Sequence, residues 1–210
     1  MDPYKKVAKF YDILFEPLNK GLRAIGVKMF PPKLGMLVLD VGCGTGIHLE
    51  RYLKAGCQVF GIDLSPSMLQ VARDRLGTSA NLHVGDASKM PYPDHKFDFI
   101  IMSTVLHEMP PAVRSAVLNE SLRTLKDDGR MLLIDFNPGP IRPFKGWINK
   151  SIITIAEIAA GRKHFKNYRL FIKSEGLSAL ITPHGLSVEQ KKIVAGGCMA
   201  LFLLEKGGGL

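Results

Sequence analysis

The sequence predicts an α/β fold, a mostly parallel sheet with helices on both faces, and three observations carry that expectation. First, an apolar run from Met36 to Asp40, with Val41 next, leads straight into Gly42, Gly44 and Gly46; Ile47 to Ala55 then reads as helical and stops at Gly56. Second, the same alternation of strand and helix recurs as far as Phe136, which is the pattern of a parallel sheet covered on both sides. Third, acids close the strands. Asp40, Asp63 and Asp86 fall at the carboxyl ends, with Ser103 at the end of the next, and ligands of open α/β sheets bind beyond those ends.

At 210 residues and 46% hydrophobic content the chain suits one domain with a sizeable core. No apolar run approaches the ~18 residues needed to span a bilayer. The start lacks a basic, apolar, small-residue leader, so a cytoplasmic protein is expected. Cys43, Cys57 and Cys198 are odd in number and lack metal-type spacing, which reads as reduced thiols and no metal. The net charge of +9 is unevenly spread. Residues 37–136 hold ten Lys/Arg and twelve Asp/Glu, whereas 1–36 hold seven and three, and 137–192 hold ten and three. The positive charge therefore flanks the central part and suits an anionic membrane surface or an acidic acceptor.

Taken in order, residues 2–30 read as helical, with Pro3, Pro17 and Pro31-Pro32 as breaks and aromatic bulk at Phe10-Tyr11 and Leu14-Phe15. Gln58–Asp63 is the second strand. Ser65 caps a helix with Pro66 at its first position, Met68, Leu69, Ala72 and Leu76 as its buried stripe, and Gly77 as its stop. Leu82–Gly85 is the third strand and Phe97–Met102 the fourth. Pro111–Lys126 is a helix with Val113, Ala116, Val117 and Leu125 inward, and Gly129–Phe136 is the fifth strand.

Residues 138–186 interrupt the alternation. Pro138, Pro140 and Pro143 make a rigid exit, and Phe144–Ala160 is apolar with few charges, bounded by Lys145 and by Arg162-Lys163. It fits a lid helix packing over an acceptor pocket, or a helix lying in a membrane interface with Trp147 and the lysines as anchors. His164 to Ile181 continues as a further helix whose His164 and Tyr168 are candidates to line a pocket, although a lone His or Tyr is more often a satisfied structural residue. Gly185–Val194 and Met199–Leu204 are the last strands, and Gly207–Gly209 is a loose tail. No repeat and no second domain is visible.

The glycine turn has the spacing G-x-G-x-G, with an acid two residues before the first glycine. It is neither G-x-G-x-x-G nor a phosphate loop, because Ile47 follows Gly46 and no Gly-Lys-Ser/Thr is present. Asp40 would repel a diphosphate but suits a ligand bearing an ammonium group beside a carboxylate. Tyr92-x-x-x-Lys96 has a short-chain-dehydrogenase spacing, but Pro93 forbids the helix that pair requires. The Asp/Asn-Pro-Pro-Tyr/Phe sequence of base-flipping amino-methyltransferases is absent after the fourth strand, so no nucleic-acid partner is expected.

Val38-Leu-Asp-Val-Gly-Cys-Gly-Thr-Gly46 resembles motif I of the class I S-adenosylmethionine-dependent methyltransferases. Gly61-Ile-Asp63-Leu-Ser, Gly85-Asp86-Ala87, Phe97-Asp98-Phe-Ile100 and Leu125-Lys-Asp-Asp-Gly-Arg130 match that family's later motifs in order. The resemblance implies a Rossmann-like seven-stranded sheet closed by an antiparallel C-terminal hairpin. It divides the chain into an N-terminal helical lid (1–35), a cofactor-binding core (36–137), a helical acceptor-side insertion (138–186) and the hairpin (187–206). It implies S-adenosyl-L-methionine as cofactor, with S-adenosyl-L-homocysteine as product. The residues expected to hold the cofactor are Tyr11, Asp40, Gly42, Cys43, Gly44 and Gly46, then Asp63, Leu64, Met68, Asp86, Ala87 and Ser103. Asp63 would take the ribose hydroxyls, Asp86 the adenine amine and Ala87 a backbone contact, with the Tyr11-Asp12 pair folding over the ligand.

Within the family the chain is most similar to the ubiquinone/menaquinone-biosynthesis C-methyltransferases, through the Tyr-Asp start, Met90-Pro-Tyr-Pro, Leu125-Lys-Asp-Asp-Gly and Gly176-Leu. Their Tyr/Ser/Phe lid pattern is not clear around His164–Phe171. A hydrophobic or lipid-like acceptor is expected, with phospholipid or small-amine N-methylation as the alternative. Of another class is a cofactor-binding accessory protein without turnover. Three scattered cysteines make arsenite methylation a poor fit. Methyl transfer from a sulfonium needs mainly alignment, and a base only where the acceptor must lose a proton. His107 is the candidate base, with Tyr11 and Tyr168 behind it.

Overall fold

The computed structural model of the chain describes residues 2, 4, 5 and 7–207; Pro3, Gly208 and Gly209, expected as a break and a tail, lie outside them. Helix α1 (Tyr11–Met29) leads to β1 (Leu37–Val41), α2 (Ile47–Leu53), β2 (Gln58–Asp63), α3 (Pro66–Leu76), β3 (Ala80–Val84), β4 (Phe97–Ser103), α4 (Pro111–Thr124) and β5 (Leu125–Phe136). Beyond β5 come α5 (Lys145–Ala159), α6 (Arg162–Lys173), α7 (Ser178–Ile181), β6 (Leu186–Val194) and β7 (Met199–Lys206).

The seven strands make one sheet in the order β3-β2-β1-β4-β5-β7-β6. The first five pair in parallel, and β7 runs antiparallel to both β5 and β6. Consecutive residues such as Phe99, Ile100, Ile101 and Met102, or Met131 to Ile134, are wholly buried, so both faces of the central strands are covered. Each such side chain contributes about 1.5–3 kcal/mol by burial, far more than an exposed ion pair does. The core therefore sits along β1, β4, β5 and β7. The edge strands β3 and β6 are largely exposed.

Several boundaries move for identifiable reasons. Helix α1 runs unbroken through Pro17, which lies on an exposed face where the carbonyl left without a donor meets water. Helix α2 stops at Leu53, and β3 starts at Ala80 rather than Leu82. Helix α4 ends at Thr124, because Leu125 already pairs with Phe97; a register shift then carries the strand over Lys126–Gly129. Val113 faces solvent and Arg114 is buried in its place. The Arg114 guanidinium donates to the carbonyls of Leu106 and Met109 and lies over the Phe171 ring, at 4.8 Å. The expected helix over His164–Ile181 is two, α6 and the short α7. Lys96, set aside as a dehydrogenase residue, stacks its ammonium over Phe60 at 4.0 Å.

The largest difference concerns α5. Its only buried residues are Gly146 and Glu157. Phe144, just before it, and its own Trp147, Ile148, Ile152, Ile155 and Ile158 are exposed. Ile153 packs inward beside Tyr168 and Phe136, but most of the apolar side chains of α5 point outward.

Candidate active site

The turn after β1 is held by its own backbone. Gly42 and Cys43 N–H groups donate to the Ile62 carbonyl at 2.8 and 3.3 Å, and Gly46 N–H donates to the Cys43 carbonyl. The three glycines serve different ends. A Cβ on Gly42 (φ +71) would lie 2.5 Å from a Val105 methyl, and one on Gly46 (φ +73) 2.8 Å from Leu76. Both permit close packing in a left-handed conformation. At Gly44 a Cβ would meet nothing within 4 Å, so this residue faces open space.

Asp40 sits in the middle of the sheet, paired in register with Gly61 on one side and Ile101 on the other. It is buried, and its Oδ1 has no hydrogen-bond partner among the described residues. Burial pushes its carboxyl up to about 8 against the pull of the Arg23 guanidinium, with nearby Asp63 adding to the rise. A buried carboxylate with an unused oxygen beside an open glycine turn fits the ammonium of an amino-acid ligand. Cys43 is buried in the same turn, and burial pushes its thiol well up, so it is a neutral packing group.

Asp63 closes β2. Its Oδ2 accepts from Gly44 N–H at 2.9 Å and its Oδ1 from Ser65 N–H at 2.8 Å. Each oxygen keeps a lone pair for a ligand hydroxyl. Burial raises its pKa, and those two N–H groups oppose the rise. Leu64 is exposed at the rim. Met68 is buried in the first turn of α3, where its N–H is capped by Ser65 Oγ at 3.1 Å. Asp86 is exposed one residue beyond Gly85, whose N–H bonds the Asp63 carbonyl at 3.0 Å; Asp86 Oδ1 accepts from Ser88 N–H, and Ala87 is half-buried. Ser103 ends β4. Thr104 follows with φ +53, held by a 2.7 Å bond from its N–H to the Ile134 carbonyl. A β-branched residue there is strained, and the strain falls at the mouth of the crevice.

The N-terminal segment crosses this crevice. Asp2 accepts from Ser65 Oγ at 2.8 Å and from Ser67 N–H at 3.0 Å. Burial opposes the charge on Asp2, but bonds from Ser67, Ser65 and Tyr4 hold its carboxyl down at about 2. Tyr4 O–H donates to Glu108 at 3.1 Å, and its ring meets Tyr11 edge-on, while Tyr11 in turn packs on Phe15. Asp12 turns the other way. It accepts from Thr45 Oγ1 at 2.6 Å and pairs with Arg75, fastening α1 to the glycine turn and α3. The expected Tyr11-Asp12 pair thus splits: the ring packs under Tyr4, and the carboxylate is a fastener.

Across from the glycine turn lies a second cluster. His107 is buried, with Nδ1 at 2.7 Å from Asp135 Oδ1 and Nε2 at 3.5 Å from Glu157 Oε1. Asp135 is wholly buried and also accepts the N–H groups of Leu106, His107 and Phe136. His164 Nε2 stands 2.9 Å from Glu157 Oε2 and 3.9 Å from Glu108 Oε1. Tyr168 is buried beside them, edge-on to Phe136 at 5.2 Å. Burial favours neutral His107, but Asp135 and Glu157 outweigh it and lift the imidazole to about 10. Both ring nitrogens face carboxylates, so the free-base role expected of His107 does not fit this geometry. Burial also raises the phenols of Tyr11 and Tyr168, which stay neutral.

The crevice contains more than the sequence reading named. Tyr4, Asp135 and Glu157 were missed there. A lone acid inside the apolar run Met131–Phe136, and another inside Ile152–Ala160, were the available signals.

The methyltransferase-domain family matches residues 38–129. The demethylmenaquinone methyltransferase of Desulfitobacterium hafniense is 28% identical over 95% of this chain and 87% of its own length. The ubiquinone/menaquinone biosynthesis C-methyltransferase UbiE of Bordetella avium is 33% identical over 71% of this chain and 62% of its own. The crystal structure of an S-adenosylmethionine-dependent methyltransferase from Aquifex aeolicus superposes with TM-score 0.66 at 23% identity, covering 97% of this chain and 98% of that one, which shows the shared fold. The sheet, its order of strands and its antiparallel C-terminal pair agree with the seven-stranded Rossmann-like expectation.

Proposed function

Since the chain is a class I S-adenosylmethionine-dependent methyltransferase resembling the ubiquinone/menaquinone C-methyltransferase group, we propose that its acceptor is a small hydrophobic or lipid-like molecule. Quinone-type C- or O-methylation is the favoured case. The observation that carries this is the outward apolar face of α5, Trp147, Ile148, Ile152, Ile155 and Ile158, on a helix that packs against the cationic α6. Arg162, Lys166, Arg169 and Lys173 recur at helical spacing there, with Phe165 and Leu170 between them on the same face of α6. An exposed apolar stripe and a neighbouring cationic helix suit the headgroup boundary of an anionic bilayer, where a lipid-borne acceptor resides. No helix among the described residues is long and apolar enough to cross a membrane, so the contact would be peripheral.

In this reading residues 1–35 close over the cofactor, 36–137 bind it, and 138–186 face the acceptor and the bilayer. The cofactor supplies a methyl group already activated on a sulfonium. Asp40 takes the ammonium, Asp63 the ribose hydroxyls, and Asp86 with Ala87 the adenine edge. The protein's main contribution is alignment, which can account for about 7–11 kcal/mol of such a barrier.

A second reading draws on Glu108 and Glu157, whose carboxylates would attract the cation of a small amine or phospholipid amine. Incubating the protein with isotopically labelled methyl donor and lipid extracts decides between them. Label in a quinone-type ring supports the first reading, label on an amine nitrogen the second, and label only in water-soluble products that carry no amine removes both. Flotation with liposomes tests the surface: equal recovery with neutral and anionic vesicles would remove the charge argument.

A further inference from the structure

The His107 cluster is more than an ion-pair network. One donor atom from each of His107, Glu157 and His164 lies within 4.8 Å of the others. They come from three separate elements: the turn after β4, α5 and α6. His107 and Glu157 are buried, and Glu157 Oε2 has no hydrogen-bond partner among the described residues although His164 Nε2 is 2.9 Å away. That oxygen is close enough to share a ligand with His164 but is not aligned to accept its proton. Asp135 behind His107, 2.7 Å from Nδ1, fixes the ring so that Nε2 points at the cluster. A carboxylate behind an imidazole is the usual support of a metal-binding histidine.

We propose that His107, Glu157 and His164 bind a divalent first-row transition ion through the two Nε2 atoms and the Glu157 carboxylate. Donor atoms about 2.0–2.2 Å from such an ion lie roughly 3.0–3.5 Å from one another; His107 Nε2 stands 3.5 Å from Glu157 Oε1 and His164 Nε2 2.9 Å from Oε2, so the carboxylate spans the two imidazoles and a small inward shift from the 4.8 Å spread would close the set on an ion. Two imidazoles and a carboxylate suit zinc or ferrous iron rather than calcium, which takes six to eight oxygens. No thiolate is among the donors, so the absence of cysteine spacing in the sequence says nothing about this site. Asp135, Glu157 and Glu108 gather three carboxylates around two imidazoles in a buried space, where a dication takes the place of the Nε2 protons and releases them to solvent.

Three protein ligands leave coordination positions open, and Glu108, bonded to Tyr4, stands at the edge of the site. On the methyl-transfer reading, on which this role alone rests, an acceptor hydroxyl oxygen takes one of them and gives its proton to solvent more readily.

The test uses the full chain, tag-free and stripped with a chelator, titrated with cobalt(II) by visible absorption and with zinc by competition. We expect one equivalent of either ion. His164→Ala and Glu157→Gln should each weaken binding by more than about 100-fold, beyond the 10–100-fold cost of an outer-shell change. Calorimetric titration with S-adenosylmethionine shows whether each variant is folded. Should Glu157→Gln fail to fold, His164→Ala, at a partly exposed position, carries the test alone. No stoichiometric uptake by the wild-type protein, or uptake undiminished in His164→Ala, overturns the site. If metal uptake fails while methyl transfer persists, the metal proposal falls and the methyltransferase assignment stands; uptake with no lipid methylation leaves the site and removes only its assigned role.

Discussion

The two sides of the crevice are built by different means. On the side of the glycine turn, where we propose that the cofactor binds, the backbone does most of the shaping. Gly42, Cys43, Gly44 and Gly46 are held by N–H groups from one short turn, and the acids follow at the ends of adjacent strands. On the opposite side, side chains meet from distant stretches: His107, Asp135, Glu157 and His164. Backbone-shaped sites need a fixed local sequence, because a glycine or an acid one position away would miss. Side-chain-shaped sites need only that the fold bring donors together, so the same sheet accommodates many acceptors. The cofactor is common to the family, whereas the acceptor is not.

The strongest way to break this contrast is Asp40→Asn. With its folded pKa raised to about 8, Asp40 favours the native state fully below its unfolded value near 3.8. That contribution is lost as pH rises through 8. The neutral amide removes the loss, so the cofactor-free variant should melt above the wild type at pH 8–9, by on the order of a few kcal/mol. The gap should close toward pH 4. Cofactor affinity should fall by about 100-fold or more, as when one partner of a buried charge pair is removed. Calorimetric titration with S-adenosylmethionine and melts at pH 5 and 9 check both. Unchanged affinity would contradict the ammonium assignment.

Gly42→Ala should come next. A left-handed φ costs an L residue about 1–2 kcal/mol, and the new methyl, 2.5 Å from Val105, adds an overpacking cost of about 1–3 kcal/mol. Denaturant melts should show a loss of roughly 2–5 kcal/mol. Gly44→Ala, where a Cβ meets nothing, should cost only the backbone part and should act on cofactor affinity instead.

Tyr4→Phe probes the strap that joins the two sides. Its hydroxyl bonds Glu108, beside the His107 cluster, while Asp2 two residues earlier bonds Ser65 and Ser67, beside the glycine turn. Loss of one hydrogen bond should cost about 1 kcal/mol. Steady-state kinetics should show this as a roughly five-fold higher KM for the methyl donor, with kcat changed less. An unchanged KM would mean that the strap does not close over the cofactor.

How much of this was legible in the sequence follows the same division. The strand from Leu37, the capped helix from Pro66 and the three acids at strand ends were readable, because each is written in a few adjacent residues. Leu125 deceived the helix reading, since its apolar character suits the end of α4 as well as the first residue of β5. Val113 and Arg114 were exchanged because a buried guanidinium depends on the carbonyls of Leu106 and Met109, which only the fold supplies. Asp135 and Glu157 were visible as lone acids in apolar runs. Nothing local says that they face the same imidazole.

The outer face of α5 yields the smallest expected effect on stability. Its apolar composition suits a packing lid and an interfacial helix equally, and only the fold shows that Ile155 is 68% exposed. Ile155→Ser removes no core contact, so thermal melts should stay within about 0.5 kcal/mol of the wild type. If the face meets a bilayer, the same change should lower recovery with anionic vesicles several-fold, since burying such a side chain contributes about 1.5–3 kcal/mol. Trp147→Ala should do likewise and Lys33→Ala, far along the chain from that helix, should not. A drop in melting temperature without a drop in vesicle recovery would invert the contrast, making α5 part of the folded core and leaving the acceptor side no contact with lipid.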